Sequence, residues 1–261
     1  MIDIHCHILP GIDDGPRNLE ESSDLARMFV REGYRQVIAT PHWAFGTSWM
    51  PSTKTISKTV DKLNRVLEDK GIELIVHAGM EIALDNKIPE FLKCHEVGGL
   101  ANTSYVLVEL PFFRLPLGWD EILFNIMSMG HRVIVCHPER CTHLFQDKGI
   151  IDELINGGLY LQVNWASFLG HNGPEADQMA KYLAVKGYIH CLATDSHDVR
   201  ERHPGHVSTA GKLLENLIGT DNLRLVAKEN PERLLAGDPL AAMSRSGTSG
   251  KTSKNRRWLF F

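Results

Sequence analysis

The feature of this sequence that most limits its fold is a repeated alternation between short β-rich runs and longer helical patterns. Seven mostly apolar runs are predicted to be strands, and helical periodicity follows the strands along the chain. Near-continuous apolar strands joined by helical crossovers are typical of a parallel sheet covered on both faces. The predicted strands are, in order, MIDIHCH, RQVIATPH, IELIVHAGMEI, SYVLVELP, RVIVCHPER, LYLQVNWAS and IHCLATDSH.

Seven such units predict an α/β protein built as a closed or nearly closed β/α barrel. A doubly wound open sheet is the second architecture that the pattern allows. A single domain is expected over residues 1–238, because no linker divides that part of the chain. Residues 239–261 are small, polar and basic before they end in WLFF, and they are expected to form a disordered tail.

Composition excludes several classes of protein. Apolar residues make up 43% of the 261 residues and the formal net charge is −4, so a core can form and no basic excess favours nucleic acid. No apolar run approaches the roughly 18 residues of a transmembrane helix, and the N-terminus lacks a secretory signal pattern. The five cysteines show no CxxC spacing, which argues against a disulfide framework or a thiolate zinc site. We therefore expect a cytoplasmic protein.

Residues that bind metal ions or phosphate follow six of the seven predicted strands. In strand order they are His5 with His7, His42, Glu81, Glu109, His137, and Asp195 with His197. The sixth strand is the exception, because it ends in Asn164 and Trp165. Since the carboxyl ends of the strands of a β/α barrel meet at one rim, these side chains are expected to converge on one pocket.

The spacing of His5 and His7 places both imidazoles on one side of a strand, where both can reach one ion. Buried imidazole and carboxylate groups are unfavourable unless they are paired or bind a metal. A mixed nitrogen and oxygen donor set suits manganese, iron or zinc. Eight or nine candidate ligands exceed the needs of one ion, so two or three divalent ions are expected. Spacing alone does not decide whether Asp13 or Asp14 is a ligand.

Two or more metal ions stabilise an oxyanion and supply hydroxide near neutral pH, which favours phosphate-ester hydrolysis. Arginines beside the predicted ligands support this chemistry, because one guanidinium group can donate hydrogen bonds to two phosphate oxygens at once. Arg140 follows His137 by three residues, and Arg200 and Arg202 follow His197. A cysteine-based phosphatase would have an arginine six residues after its cysteine, and none of the five cysteines has one. The G-x-S-x-G and P-loop motifs are also missing from the sequence.

Six short segments resemble the motifs of the PHP (polymerase and histidinol phosphatase) superfamily, and above all the bacterial tyrosine-protein phosphatases of capsule and exopolysaccharide loci, of the CpsB/CapC type. The segments are DIHCHILPGIDDGP, ATPH, GMEI, VELP, HPER and TDSH, and the likeness runs from Met1 to NPERLL. The resemblance implies a distorted seven-stranded PHP barrel with a trinuclear, usually manganese, centre. It also implies dephosphorylation of an autophosphorylating tyrosine kinase that controls polysaccharide synthesis, in the cytoplasm or at the inner membrane face where that kinase lies.

Carried onto this sequence, the resemblance implies nine metal ligands and two phosphate-binding arginines. The ligands are His5, His7, Asp14, His42, Glu81, Glu109, His137, Asp195 and His197. The resemblance thus favours Asp14 over Asp13, assigns Glu81 to bridge two ions, and assigns Arg140 and Arg202 to the phosphate. A metal-bridging hydroxide would attack phosphorus, and phenolate is a fair leaving group because the pKa of tyrosine is about 10.

Three other functions stay open at the level of the sequence. A small-molecule phosphoesterase of the same fold, such as a histidinol-phosphate phosphatase, would have almost the same ligands. An amidohydrolase also begins with H-x-H, but such enzymes usually carry a carboxylated lysine where this chain has Glu109. A non-catalytic PHP module of a larger assembly would be expected to lack some ligands. The kinase, the metal, the oligomeric state and the role of residues 239–261 are not predicted.

Overall fold

A computed structural model describes residues 1–244 and shows two parallel sheets surrounded by helices. The strands are β1 (Ile2–Cys6), β2 (Gln36–Ala39), β3 (His42–Trp43), β4 (Ile75–Ala78), β5 (Glu81–Ala83), β6 (Tyr105–Glu109), β7 (Arg132–Cys136), β8 (Tyr160–Asn164) and β9 (Cys191–Ala193). One sheet has the order β1-β2-β4, and the other has the order β3-β5-β6-β7-β8-β9.

Two of the seven predicted strands are each divided into two segments. The second predicted strand is divided into β2 and β3 at Pro41, which has no N–H to donate to a neighbouring strand. The third is divided into β4 and β5 at Gly79, where a Cβ atom would lie 2.7 Å from the side chain of Ile38. Each divided strand therefore contributes its first half to one sheet and its second half to the other.

The last strand returns to the side of the first. Cys6 and Ser196 form a parallel bridge. The His7 N–H donates to the carbonyl of Ser196 at 2.8 Å, and the Asp195 N–H donates to the carbonyl of His5 at 2.9 Å. The strands therefore neighbour one another in sequence order, without the reversal of order that defines a doubly wound sheet. The expected α/β fold with parallel strands is confirmed, and the strand order is that of a barrel.

Ten α-helices lie within residues 1–244. They are α1 (Leu19–Arg31), α2 (Thr53–Asp69), α3 (Ile88–Lys93), α4 (Trp119–Ser128), α5 (Thr142–Gln146), α6 (Gly149–Asn156), α7 (Pro174–Lys186), α8 (Val207–Ile218), α9 (Thr220–Arg224) and α10 (Asn230–Ala236). Helices α1 and α2 begin after Asn18 and Ser52, whose side chains accept N–H groups of the first turn. Among these helices, none is long and apolar enough to cross a membrane.

The two faces of β6 pack into different hydrophobic clusters. On β6, Val106 and Val108 pack toward the helices, whereas Tyr105 and Leu107 belong to an inner cluster that the strands surround. Glu109 is the next residue in the inward series, because alternate residues of a strand point to the same side. Strand alternation thus directs polar side chains at the carboxyl ends of the strands into the space above the inner cluster.

The segment around α10 covers the amino ends of the strands. Leu234 and Leu240 complete the inner cluster there. Leu240 and Met243 are buried, and the N–H of Ala241 donates to the Asn230 side chain at 2.9 Å. The described part of the predicted tail, residues 239–244, therefore packs against the domain without forming a helix or strand. Residues 245–261 lie outside the described residues, so the boundary at 238 stays a prediction.

Candidate metal centre

The carboxyl ends of the strands bring all nine predicted ligands together. Their donor atoms form four overlapping groups, and within each group the atoms lie within 4.8 Å of one another. The groups are His5, Glu81, Cys136 and His137; His7, Asp14, His42 and His197; His5, His7 and Asp195; and His42, Glu81 and Glu109. Because the groups share members, the nine side chains form one continuous cluster.

Glu81, the first residue of β5, lies in the middle of this cluster. Its Oε1 atom is 2.7 Å from Nε2 of His137. Its Oε2 atom faces imidazole nitrogens of His42 at 2.8 Å, His7 at 3.2 Å and His5 at 3.4 Å. Oε2 is nevertheless buried without a hydrogen bond. A buried carboxylate oxygen in that position is unfavourable, and a cation bound between it and the imidazoles would satisfy it.

The imidazole rings of the cluster also lie close to one another. The Nε2 atoms of His5 and His7 are 3.3 Å apart, and the rings of His7 and His197 stack with centroids at 3.8 Å. Nε2 of His197 lies 3.1 Å from a carboxylate oxygen of Asp14, yet it is buried without a hydrogen bond. Ring nitrogens and carboxylate oxygens aimed at a common space are the donor set that a divalent transition metal requires.

Two of the predicted ligands have a left-handed backbone. The φ angle is 32° at His137 and 52° at Asp195. A left-handed conformation costs a residue with a Cβ atom about 1–2 kcal/mol. His137 directly follows β7, and Asp195 lies two residues beyond the end of β9. The turn of the chain at each residue directs its side chain into the cluster. Strain of this kind is characteristic of functional sites.

The charges in the cluster keep two carboxylates ionised. Burial by itself raises the pKa of Glu81, but His5 and its neighbouring histidines overcome burial and hold that pKa well below its usual range. Burial likewise opposes ionisation of Asp195, and His5 and Arg202 hold its pKa low. Glu109 differs, because burial and the Glu81 carboxylate both raise its pKa. Glu81 and Asp195 thus offer ionised carboxylates within the cluster, as a bound cation would require.

The stacked histidines differ in protonation. Burial lowers the pKa of His7, but Asp13 and Glu81 reverse that effect and raise its pKa to about 9. Burial and the adjacent His7 lower the pKa of His197 to about 4. His197 is therefore neutral near pH 7 and has a lone pair available, which is the form of imidazole that binds metal ions.

The two predicted arginines lie at the edge of the cluster. Arg140 donates to Oδ2 of Asp195 at 3.0 Å, and Arg202 donates to Oδ1 of the same carboxylate at 3.0 Å. A second nitrogen of Arg202 reaches Asp14 at 3.3 Å. The side chains of Arg140 and Arg202 are 24% and 39% exposed, so they border both the buried ligands and solvent. Arg200, the third arginine considered, is exposed.

The structure separates the two adjacent aspartates. Asp13 lies behind the cluster, where Oδ2 is 2.7 Å from Nδ1 of His7 and accepts the N–H of His42 at 3.1 Å. Asp14 instead faces the Nε2 atoms of His197 and His42, at 3.1 Å and 3.5 Å. A carboxylate that binds the distal nitrogen of a ligating histidine fixes its orientation.

The sixth predicted strand, β8, also contributes to the cluster, although its polar residues are amides. Gln162 Oε1 lies 2.9 Å from Nδ1 of His5, and the Asn164 amide donates to Asp195 at 2.9 Å. Gln162 also donates to Asn164 at 2.8 Å. β8 thus differs from the other predicted strands, because instead of predicted ligands it contributes amides that orient other residues. The Gln-x-Asn spacing, which matches that of His5 and His7, is the signal that could have identified them.

Two buried residues outside the predicted ligand set contact the same side chains or the strand that carries them. Glu139 accepts the N–H of Asn164 at 3.0 Å and the hydroxyl of Ser167 at 2.7 Å. Cys136 lies with its sulfur 3.3 Å from Glu81. Burial and the neighbouring Glu81 carboxylate raise the pKa of Cys136 well above its usual value, which favours the neutral thiol.

Comparison with known proteins gives concordant matches. A sequence model of the family described as "Capsular polysaccharide synthesis, CpsB/CapC" matches residues 1–236. Tyrosine-protein phosphatase YwqE of Bacillus subtilis is 32% identical over 235 residues, which cover 90% of this chain and 91% of that protein. Tyrosine-protein phosphatase CpsB of Streptococcus agalactiae serotype III is 29% identical over 243 residues, which cover 90% of this chain and 98% of that protein.

Solved structures also resemble this chain. A structure from crystallographic work on YwqE of Bacillus subtilis and CpsB of Streptococcus pneumoniae, described as unique metal-dependent tyrosine phosphatases, superposes with a TM-score of 0.88 at 29% identity and covers 96% of this chain and 100% of that one. A variant organophosphorus hydrolase from Deinococcus radiodurans superposes with a TM-score of 0.55 at 16% identity, covering 90% and 92% of the two chains. The second likeness concerns the fold alone.

Proposed function

The chain belongs to the CpsB/CapC family of capsular polysaccharide synthesis, and from this membership we propose that it is a metal-dependent protein-tyrosine phosphatase. The observation that carries the proposal is the convergence of nine predicted ligands and two arginines around a buried Glu81 oxygen that has no hydrogen bond. The proposed substrate is a protein phosphorylated on tyrosine. From the sequence resemblance, we propose that this protein is an autophosphorylating tyrosine kinase of capsule or exopolysaccharide synthesis.

The nine predicted residues are proposed to hold two or three divalent ions. Their imidazole and carboxylate donors, without a thiolate, suit manganese, which is the ion we propose, and also iron or zinc. Glu81 is proposed to bridge two ions, because its two oxygens face different histidines. Asp14 is the proposed ligand of the adjacent pair, and Asp13 orients His7. Bound ions would polarise the phosphoryl oxygens and supply a hydroxide nucleophile near neutral pH.

Arg140 and Arg202 are proposed to bind the phosphoryl group. Both guanidinium groups contact the Asp195 carboxylate, which holds them on one side of the cluster and directs them toward the same point. Charge-assisted hydrogen bonds from two guanidinium groups stabilise the negative charge on the phosphoryl oxygens during transfer. The departing phenolate is a weak enough base to leave without a strong general acid.

The experiment that tests the proposal measures phosphate release from a tyrosine-phosphorylated peptide with added manganese. A serine-phosphorylated peptide of the same sequence and a chelator-treated sample are run beside it. The expected result is metal-dependent release from the tyrosine peptide alone. Release from neither peptide by metal-loaded protein would contradict the proposal and favour a small-molecule phosphate ester, such as histidinol phosphate.

The arginine assignment has a matched control within the same loop. Arg202→Ala should lower kcat/KM for the tyrosine peptide about 100-fold, because it removes charge-assisted hydrogen bonds to the phosphoryl group. Arg200→Ala removes the same charge from an exposed position two residues away and should leave kcat/KM within about twofold. Equal effects of the two substitutions would mean that Arg202 contributes only to the overall positive charge near the cluster and does not bind the phosphoryl group.

A further inference from the structure

An aromatic side chain covers the outer side of the proposed ligand His42. The indole of Trp49 stacks on the His42 ring, with centroids 4.9 Å apart and planes inclined by 16°. Trp49 is 37% exposed, so part of the indole is accessible beside the metal centre. The loop that carries it is closed by hydrogen bonds from the Ala44 N–H to the Trp49 carbonyl at 2.7 Å and from the Trp49 N–H to Thr47 at 3.0 Å. The loop therefore holds Trp49 at this position.

A second aromatic side chain lies beside the proposed ligand His137. The Phe112 ring is 6.0 Å from the His137 ring, and the guanidinium carbon of Arg140 lies 4.6 Å from the Phe112 centroid. The carbonyl of Phe112 accepts both the N–H and the hydroxyl of Thr142, at 2.7 Å and 2.9 Å. These bonds attach Phe112 to the turn that carries Arg140.

The two aromatic residues flank the cluster from different sides. His42 contacts Oε2 of Glu81 at 2.8 Å, whereas His137 contacts Oε1 at 2.7 Å. Trp49 and Phe112, which lie against these two histidines, are therefore separated by the carboxylate at the centre of the cluster. A phosphate ester held at that centre has to place its organic group at the rim, within reach of one or both rings.

We infer that Trp49 and Phe112 form a binding subsite for the aryl ring of the phosphorylated substrate. The inference rests on the proposed function, since it takes the phosphoryl group to be held by Arg140 and Arg202. Aromatic rings attract one another in offset and edge-to-face arrangements beyond the effect of burial alone. An aryl ester gains this attraction and an alkyl ester does not, so the subsite favours phosphotyrosine over phosphoserine through binding.

The test measures binding rather than turnover. The manganese-loaded full chain is titrated by calorimetry with benzylphosphonate, in which CH₂ replaces the ester oxygen of phenyl phosphate, and with butylphosphonate as the alkyl counterpart. Trp49→Leu should weaken the binding of benzylphosphonate about 3- to 10-fold. It should weaken the binding of butylphosphonate less than about twofold. Trp49→Phe should keep most of the preference, because it keeps an aromatic face. Phe113→Ala is the matched control, since Phe113 neighbours Phe112 in sequence and is 82% exposed.

The possible outcomes distinguish the aryl-binding subsite from the proposed phosphatase activity. Equal weakening of both phosphonates by Trp49→Leu, or unchanged benzylphosphonate binding, overturns the inference. An effect of Phe113→Ala as large as that of Trp49→Leu also overturns the inference, because a largely exposed ring outside the subsite would then explain the preference for the aryl ligand. Aryl preference in a wild-type protein that does not hydrolyse phosphotyrosine supports the subsite and contradicts the proposed function. Unchanged affinity for inorganic phosphate in Trp49→Leu shows that the phosphoryl site is intact.

Discussion

The two ends of the strands bury polar side chains under opposite conditions. At the amino end, the Tyr105 hydroxyl donates to a main-chain carbonyl at 2.6 Å, and the Asn230 amide donates to two carbonyls and accepts one N–H at 2.7–2.9 Å. At the carboxyl end, Glu81 Oε2 and His197 Nε2 are buried without a hydrogen bond. The chain itself therefore satisfies both of these amino-end side chains, whereas the two carboxyl-end atoms have no hydrogen-bond partner and belong to proposed metal ligands.

Left-handed residues with a side chain occur at both ends of the strands. His137 and Asp195 adopt this less favourable conformation at the carboxyl end, and Ala101 and Asn102 adopt it just before β6 at the amino end. Backbone strain by itself therefore does not distinguish the two ends. The comparison teaches that at the carboxyl end the strained residues are themselves proposed ligands, whereas at the amino end α10 and the segment after it pack over the inner cluster.

The largest expected effect comes from Glu81→Gln. The substitution keeps the size of the side chain but removes the charge and one metal-binding oxygen from the middle of the cluster. Turnover of a phosphotyrosine peptide should fall about 1000-fold or more, equivalent to about 4 kcal/mol of activation free energy. Steady-state kinetics and metal content by mass spectrometry measure the effect, and circular dichroism verifies the fold. Full activity with full metal content would contradict the central role of Glu81.

Metal addition should stabilise the protein through the carboxyl end alone. At a free manganese concentration of 100 times Kd, the free energy of unfolding should rise by about 2.7 kcal/mol relative to chelated protein, because only the folded state assembles the site. Urea unfolding with and without chelator measures the rise. Glu81→Gln should lose most of it, whereas the amino-end variant Tyr105→Phe should retain it. A metal effect of the same size in both variants would mean that the ions stabilise some other region.

At the amino end, His190 should make stability depend on pH. Burial lowers the pKa of His190 to about 4, and its Nδ1 accepts the N–H of Leu161 at 3.1 Å. Since the unfolded chain binds the proton more tightly, this group's contribution is complete above pH 6.5 and declines as the pH falls toward 4. Between pH 7 and pH 5, the free energy of unfolding should fall by about 2 kcal/mol through this residue.

The variant His190→Asn isolates that contribution. Its amide oxygen can accept the same N–H, but it does not titrate, so the chelated variant should lose about 2 kcal/mol of the difference between pH 7 and pH 5. Loss of the ring contact with Tyr160, at 5.0 Å, adds an offset that is the same at every pH. Urea unfolding at the two pH values measures both. An unchanged pH dependence in the variant would assign the effect to other groups.

The smallest expected effect is that of Tyr105→Phe. It removes one hydrogen bond to the Asp238 carbonyl at the amino end and should lower the free energy of unfolding by about 1 kcal/mol. Activity on a phosphotyrosine peptide should stay within about twofold, because the hydroxyl lies at the opposite end of the strands from the cluster. A large loss of activity without a loss of stability would show that the two ends are coupled.

Much of the fold and the cluster follows from local sequence patterns. Strand and helix periodicities indicate the seven units, and the polar residues that follow the strands include eight of the nine residues that the structure brings together, because parallel strands place their carboxyl ends together. The ninth, Asp14, was favoured over Asp13 only by the family resemblance. The divisions of two strands at Pro41 and Gly79 were not predicted. They depend on pairing and close approach between strands, for which the sequence carries only a weak signal.

By itself, the sequence determined the class of fold and indicated which residues lie at the carboxyl ends of the strands, because both depend on patterns within single strands. Only the tertiary structure decided which side chains orient one another through hydrogen bonds. The contact between His5 and Gln162 joins residues 157 positions apart, and the roles of Asp13 and Asp14 are divided by which histidine nitrogen each carboxylate faces. Such contacts depend on the register of neighbouring strands and on the backbone turns at His137 and Asp195. Register and left-handed turns are set by packing of the whole domain, which no local pattern records.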